Sequence, residues 1–116
     1  MTAADLKPLT TAELDTLSAE LKQALMALYG PRFDRLILYG SYARGDFDAE
    51  SDVDYLVVLT DDEVAYGREV TRISKPAGQL SVHYLVSVSP KPVARQQYLT
   101  SDRLFFRTVR REGITL

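Results

Sequence analysis

Ser51-Asp52-Val53-Asp54-Tyr55-Leu56-Val57-Val58-Leu59 opens on two acids and closes on a run of apolar and β-branched residues, the pattern of a strand that enters a core. Side chains two apart on a strand share a face, with Cα atoms about 7 Å apart, so the Asp52 and Asp54 carboxylates can converge on cations. Just upstream, Leu38-Tyr39-Gly40-Ser41-Tyr42-Ala43-Arg44-Gly45 reads as the end of a strand, a tight glycine turn and a short helix. Such a turn presents backbone N–H groups to a phosphate. Acids and turn together point to nucleotide chemistry.

Around this centre the expected elements fall in the order αβαβαβα. Thr10 and Glu13 form a Thr-x-x-Glu capping box, and Leu14, Leu17, Leu21, Leu25 and Leu28 recur at helical spacing up to Gly30-Pro31. Leu36 to Tyr39 and Val53 to Leu59 read as strands. Asp61 or Asp62 is expected to cap a second helix running to about Ser74, before a turn at Pro76-Ala77-Gly78. From Gln79 to Val88 the residues alternate, Leu80, Val82, Tyr84, Val86 and Val88 against Gln79, Ser81, His83, Leu85 and Ser87, and predict a third strand with one open face. A last helical stretch follows Ser89-Pro90, renewed at a Ser101 cap and ended by Gly113. The expected architecture is α/β: a small mixed sheet with helices packed mainly on one face and the other left open as the active face.

The length of 116 residues supports one minimal domain, residues 1–116. An apolar fraction of 46% and a charged fraction of 26% are ordinary for a globular chain. There is no apolar run long enough for a membrane span, no signal-peptide pattern at Met1 to Asp5 and no cysteine, so a cytoplasmic setting is expected. A net charge of −2 and a pI near 5.3 argue against bulk electrostatic binding to nucleic acid. The charge is uneven: eight acids and no Lys or Arg lie between Asp46 and Glu63, against six basic residues and the lone acid Asp102 between Lys91 and Arg111. The first segment suits cations and the second an anion or an acidic partner.

Gly40-Ser41-Tyr42-Ala43-Arg44-Gly45 followed by Ser51-Asp52-Val53-Asp54-Tyr55 resembles the signature of minimal nucleotidyltransferases (MNT domains) of the polymerase-beta superfamily. The resemblance implies a polymerase-beta palm-like fold, ATP as substrate, and two Mg²⁺ ions held by Asp52 and Asp54. It further implies that Gly40 and Ser41 form the phosphate-binding turn. Many small prokaryotic members are similar to antitoxins paired with a HEPN-type RNase, and in those pairs the implied reaction is transfer of AMP from ATP to a tyrosine of the partner. Arg44 could reach a triphosphate oxygen, or equally stabilise the acidic loop of Asp46, Asp48 and Glu50.

The family pattern also has a third carboxylate on the strand after the second helix. No Asp or Glu occurs from Val70 to Thr100, and on the expected Gln79 to Val88 strand the best-aligned residue is His83, a general base or metal ligand or else a structural residue. Arg103, Arg107, Arg110 and Arg111 share a helical stripe, either solvated or facing an acidic partner, the triphosphate or RNA, while Leu104, Phe105 and Val109 are assigned to the core. The leading expectation is a Mg²⁺-dependent nucleotidyltransferase that modifies a hydroxyl of a partner protein. The alternative is a catalytically impaired protein of the same fold that neutralises its partner by binding. An RNA-binding regulator ranks third, and the chain could also self-associate.

Overall fold

In the computed structural model, which describes residues 7–116, the Thr10 hydroxyl accepts the Glu13 N–H at 3.1 Å while Glu13 Oε1 accepts the Thr10 N–H at 3.0 Å. This capping box starts helix α1, Thr11–Tyr29. Leu17, Leu21, Leu25 and Tyr29 recur every fourth residue and are buried, whereas Leu28 is turned out. A fully buried leucine contributes about 1.5–3 kcal/mol, so this stripe anchors α1 to the sheet. Gly30, at φ 54°, breaks the helix, and one 3-10 turn, Gly30–Arg32, delivers the chain to β1, Phe33–Tyr39.

The remaining elements are α2 (Ser41–Arg44), β2 (Val53–Leu59), α3 (Tyr66–Tyr84), β3 (Val88–Ala94), α4 (Arg95–Thr100), α5 (Leu104–Glu112) and β4 (Ile114–Thr115). The sheet order is β3-β2-β1-β4; β1 is antiparallel to β2 and to β4, and β2 is parallel to β3. A parallel neighbour requires a crossover, which α3 supplies.

Alternation on the strands divides the core in two. Leu36, Leu38, Val53, Tyr55, Val57 and Leu59 face α1 and α3, where Ile73 and Ala77 close the layer. Ile37, Leu56, Val58 and Val93 face the other way, under Phe106 and Val109 of α5. The mixed sheet with helices mainly on one face is therefore as expected, but the second face is not open throughout: α5 lies across its middle. Asp54 sits half-buried on that same face, at the head of β2. Arg110 ties α5 to α4 by donating to the carbonyls of Tyr98 and Ser101, each at 2.7 Å.

The expected turn at Pro76-Ala77-Gly78 and the strand from Gln79 to Val88 are not formed. The turn and the segment as far as Tyr84 belong to α3, because Ile73, Ala77, Leu80 and Tyr84 are spaced at four, three and four residues and together face the core, while Leu85 to Ser87 connect it to Val88, the first residue of the next strand. Burial of that stripe outweighs Pro76, whose missing N–H costs one helical hydrogen bond. The helix starts later than read, at Tyr66 behind Ala65, so neither Asp61 nor Asp62 caps it. The third strand follows instead over Val88–Ala94, despite Pro90 and Pro92. Both prolines are tolerated because β3 is an edge strand, on which alternate N–H groups face away from the sheet.

Three further differences lie at the C-terminal end. The final helical stretch is renewed after Ser101 as read, in α4 and α5, but the tail forms the short strand β4, pairing Ile114 and Thr115 with Leu38 and Ile37. Arg103, not Ser101, stands at the start of α5. Phe106 replaces Leu104 and Phe105 as the buried partner of Val109; Leu104 is 74% exposed. Among the described residues no helix is long and apolar enough to cross a membrane. The signal-peptide reading of Met1 to Asp5 lies outside the described residues.

Candidate functional site

Three elements meet at the end of the sheet: the last residue of β1, the α2 turn and the head of β2. Tyr39 pairs with Asp54 across the antiparallel ladder, so the glycine that follows Tyr39 is brought beside that acid. Gly40 has φ 76° and ψ −155°, a conformation that glycine alone adopts readily, and a Cβ built on it would overlap Asp54 Oδ2. Its carbonyl accepts the N–H groups of Ala43 and Arg44 at 3.1 and 3.0 Å, closing a single turn with no side-chain cap. Ser41 leads that turn half-exposed, and among the described residues no protein group bonds its hydroxyl. Gly40→Ala is expected to cost about 1–3 kcal/mol of backbone strain, read as a lower melting temperature than Gly67→Ala, where nothing lies within 4 Å of the added methyl.

The turn and the acidic loop behind it are braced by the chain itself. Tyr42 is buried, stacks on Phe47 with ring centroids 4.3 Å apart, and accepts the Leu9 N–H on its hydroxyl at 3.1 Å. Asp48 Oδ1 accepts the Glu50 N–H at 2.8 Å, and Ser51 Oγ accepts the Asp48 N–H at 2.9 Å. Arg44 donates to Asp46 at 3.1 Å and reaches Glu112 at 3.7 Å. Of the two sequence readings of Arg44, its present partners match the loop-stabilising one.

Asp52 and Asp54 differ from these acids in having no protein hydrogen bond on their carboxylates among the described residues. Asp52 is exposed just before β2, and Asp54 is half-buried two residues on. Burial, reinforced by the Asp52 charge, pushes the Asp54 carboxyl above the usual aspartate range, against the pull of Lys91 and Arg44. Two hard, unpartnered carboxylates beside a cleared backbone fit one hard divalent cation completed by ligand oxygens. Among the described residues no cluster of three His, Cys, Asp or Glu side chains could hold a metal.

His83 does not join them. It stands exposed in the last turn of α3, edge-on to Tyr84 at 4.8 Å, because the strand on which it was expected is helix. On the true third strand, Asp54 is paired with Ser89 and Leu56 with Lys91. Sequence reasoning missed both, along with Phe105, whose ring stands edge-on to Tyr39 at 5.4 Å and lies between two clefts of about 390 and 440 Å³. The larger cleft is lined by Tyr39, Gly40, Arg44, Leu104, Phe105 and Glu112, among others.

A model of the nucleotidyltransferase domain matches residues 18–105, a span that holds the turn, both acids and the first three strands. The chain belongs to the nucleotidyltransferase domain family. One relative, a Methanocaldococcus jannaschii protein named by inference a protein adenylyltransferase, is 38% identical over 78 residues, 67% of this chain and 77% of its own length. A second protein of that organism with the same kind of name is 51% identical over 39 residues, 34% of this chain and 39% of the relative. Among solved structures, a toxin–antitoxin complex with AMP-PNP contains a chain with TM-score 0.57 and 18% identity, covering 92% of this chain and 72% of the other. A tyrosine-to-alanine mutant of the MntA–HpeT toxin–antitoxin pair gives 0.53 and 20%, covering 94% and 72%. At these identities the structures establish the fold.

Proposed function

We propose that this nucleotidyltransferase domain, one minimal cytoplasmic module, transfers AMP from ATP to a hydroxyl of a partner protein. The partner would be a small helical HEPN-type toxin that the modification silences. The observation that carries the reading is the Asp54 carboxylate set against the Gly40 clearing with the Asp52 charge acting on it, neither acid having a hydrogen-bond partner among the described residues. The named activity of the relatives and the toxin–antitoxin complexes of similar fold support the acceptor class.

In this reading the Gly40-Ser41 turn offers backbone N–H groups and the Ser41 hydroxyl to phosphate oxygens. Asp52 and Asp54 would hold Mg²⁺, which when bound neutralises charge on the phosphates and the departing pyrophosphate. The acceptor oxygen bonds to the α-phosphorus, the bond from that phosphorus to the bridging oxygen of the β-phosphate breaks, and pyrophosphate leaves. The acceptor proton passes to water, since both carboxylates are engaged in holding the cation. Arg44 can serve the triphosphate only by exchanging Asp46 and Glu112 for it. His83, in the last turn of α3, has no place in this scheme.

Incubation of the chain with a candidate HEPN-type partner protein and Mg²⁺ should place label on that protein from α-labelled ATP and none from γ-labelled ATP. Label from the γ-position, or from neither, rejects adenylyl transfer. The absence, among the described residues, of a third acid grouped with Asp52 and Asp54 favours one other reading, a nucleotidyltransferase-fold protein that neutralises its partner by occupation. Such a protein would inhibit without ATP.

A further inference from the structure

The face of the sheet that carries Asp54 continues onto β3 as Ser89 and then Lys91. From strand spacing and rise, the Lys91 Cα lies about 8 Å diagonally from that of Asp54, within reach of an extended lysine. Lys91 makes no ion pair among the described residues, although its charge acts on the Asp54 carboxyl. Its ammonium stands 5.4 Å from the Phe105 ring centroid, at the wall of the 390 Å³ cleft with Tyr66 and Arg103. A two-ion clamp shares its ions among several carboxylates. Here two are present and the neighbouring strand offers a hydroxyl and a fixed positive charge, which repels a second cation.

We propose that Lys91 stands in for the second ion: the chain binds a nucleoside triphosphate with one divalent cation, and the Lys91 ammonium contacts a phosphate oxygen beside Asp54. The inference rests on the nucleotide-binding reading above. An ammonium brings one charge where an ion brings two, yet needs no carboxylate to hold it in place. Phe105 would orient it through its ring face. The consequence is a site whose second cation is covalently fixed and independent of metal supply.

Manganese titration of the full chain saturated with AMP-PNP, followed by electron paramagnetic resonance, counts the ions. The wild type is expected to take one Mn²⁺ per bound nucleotide with no Mn–Mn coupling. Lys91→Asp, which creates the missing acid, is expected to take two coupled ions. Lys91→Ala should bind AMP-PNP with Mn²⁺ about ten- to a hundredfold more weakly, the scale of a lost charge-assisted contact. Because Lys91 is exposed, neither substitution should shift the melting temperature. Two coupled ions in the wild type, or undiminished binding by Lys91→Ala, overturns the role of Lys91 alone. Failure of the wild type to bind AMP-PNP with Mn²⁺ removes the nucleotide site and this proposal together.

Discussion

Replacing both Asp52 and Asp54 with alanine is expected to lower transfer of α-label to the partner by at least about 10³-fold, the scale on which a lost pre-organised charge contact is felt at a reacting centre. Among the described residues both carboxylates lack protein partners, so their removal strands no donor there. It also relieves burial of the Asp54 charge and repulsion from Asp52. The melting temperature of the double variant should therefore equal or exceed that of the wild type. Loss of activity with a drop in melting temperature would make the acids structural, and retained activity would remove them from the chemistry. The same variant separates the two readings of the antitoxin role: an enzyme loses its hold on the partner, whereas a protein acting by occupation keeps it.

Arg32→Ala is expected to carry the largest stability cost. The Glu69 side chain is fully buried, and it accepts from Arg32 at 2.7 Å and from the Tyr29 hydroxyl at 3.1 Å. Arg32 also donates to both oxygens of Asp61, at 3.0 and 2.9 Å, and so ties the start of β1 to the loop after β2. Removing one partner of a buried charge costs about 3–5 kcal/mol. Arg72 and Arg68, at 3.7 and 4.0 Å, retain part of the compensation, so a loss of about 3 kcal/mol is expected. That corresponds to a melting temperature roughly 10 °C lower; an unchanged one would show that the cluster contributes nothing.

The pH dependence has a definite sign. Burial pushes the Glu69 carboxyl up, but the hydrogen bonds from Arg32 and Tyr29 outweigh it and hold the group below its usual range. Asp61 is lowered in the same way by Arg32. The stabilisation from these acids is complete above the unfolded carboxylate pKa of about 4 and is lost as pH falls through the lower folded values. Without Arg32, its hydrogen bond and charge no longer oppose burial, and Glu69 takes up a proton more readily than in the wild type. The gap in melting temperature between wild type and Arg32→Ala should therefore narrow as the solution is acidified below about pH 4.

The parts of the fold legible in the sequence were those set by local chemistry. Thr10 and Glu13 declare the start of α1, the β-branched run declares β2 over the same residues the structure gives, and Gly40 declares a turn that Asp54 makes obligatory. What was not legible was decided by packing at a distance. Leu80 and Tyr84 fit a two-residue and a helical period equally, and only Ile73 and Ala77 behind them break the tie, across a proline that argues for a turn. Once α3 absorbs those residues, His83 leaves the sheet and the neighbours of Asp54 become Ser89 and Lys91. A strand holding two prolines gives almost no signal of its own, so the residue now proposed as the fixed cation could not be found from spacing. The α5 stripe was likewise misassigned by one residue, because Phe105 and Phe106 are adjacent and only contact with Ile37 and Val58 selects Phe106.

Pro90 and Pro92 also determine how this molecule can be approached. They lie on the rim of the sheet, where an extended segment of another polypeptide would otherwise zip on through main-chain pairing. Each proline takes a donor away from that rim, and Pro90, half-buried, sets a rigid ring in the path of an incoming backbone. Lys91, between them, is thereby kept clear of any such guest. A second molecule that approaches the β3 border must recognise it by its side chains.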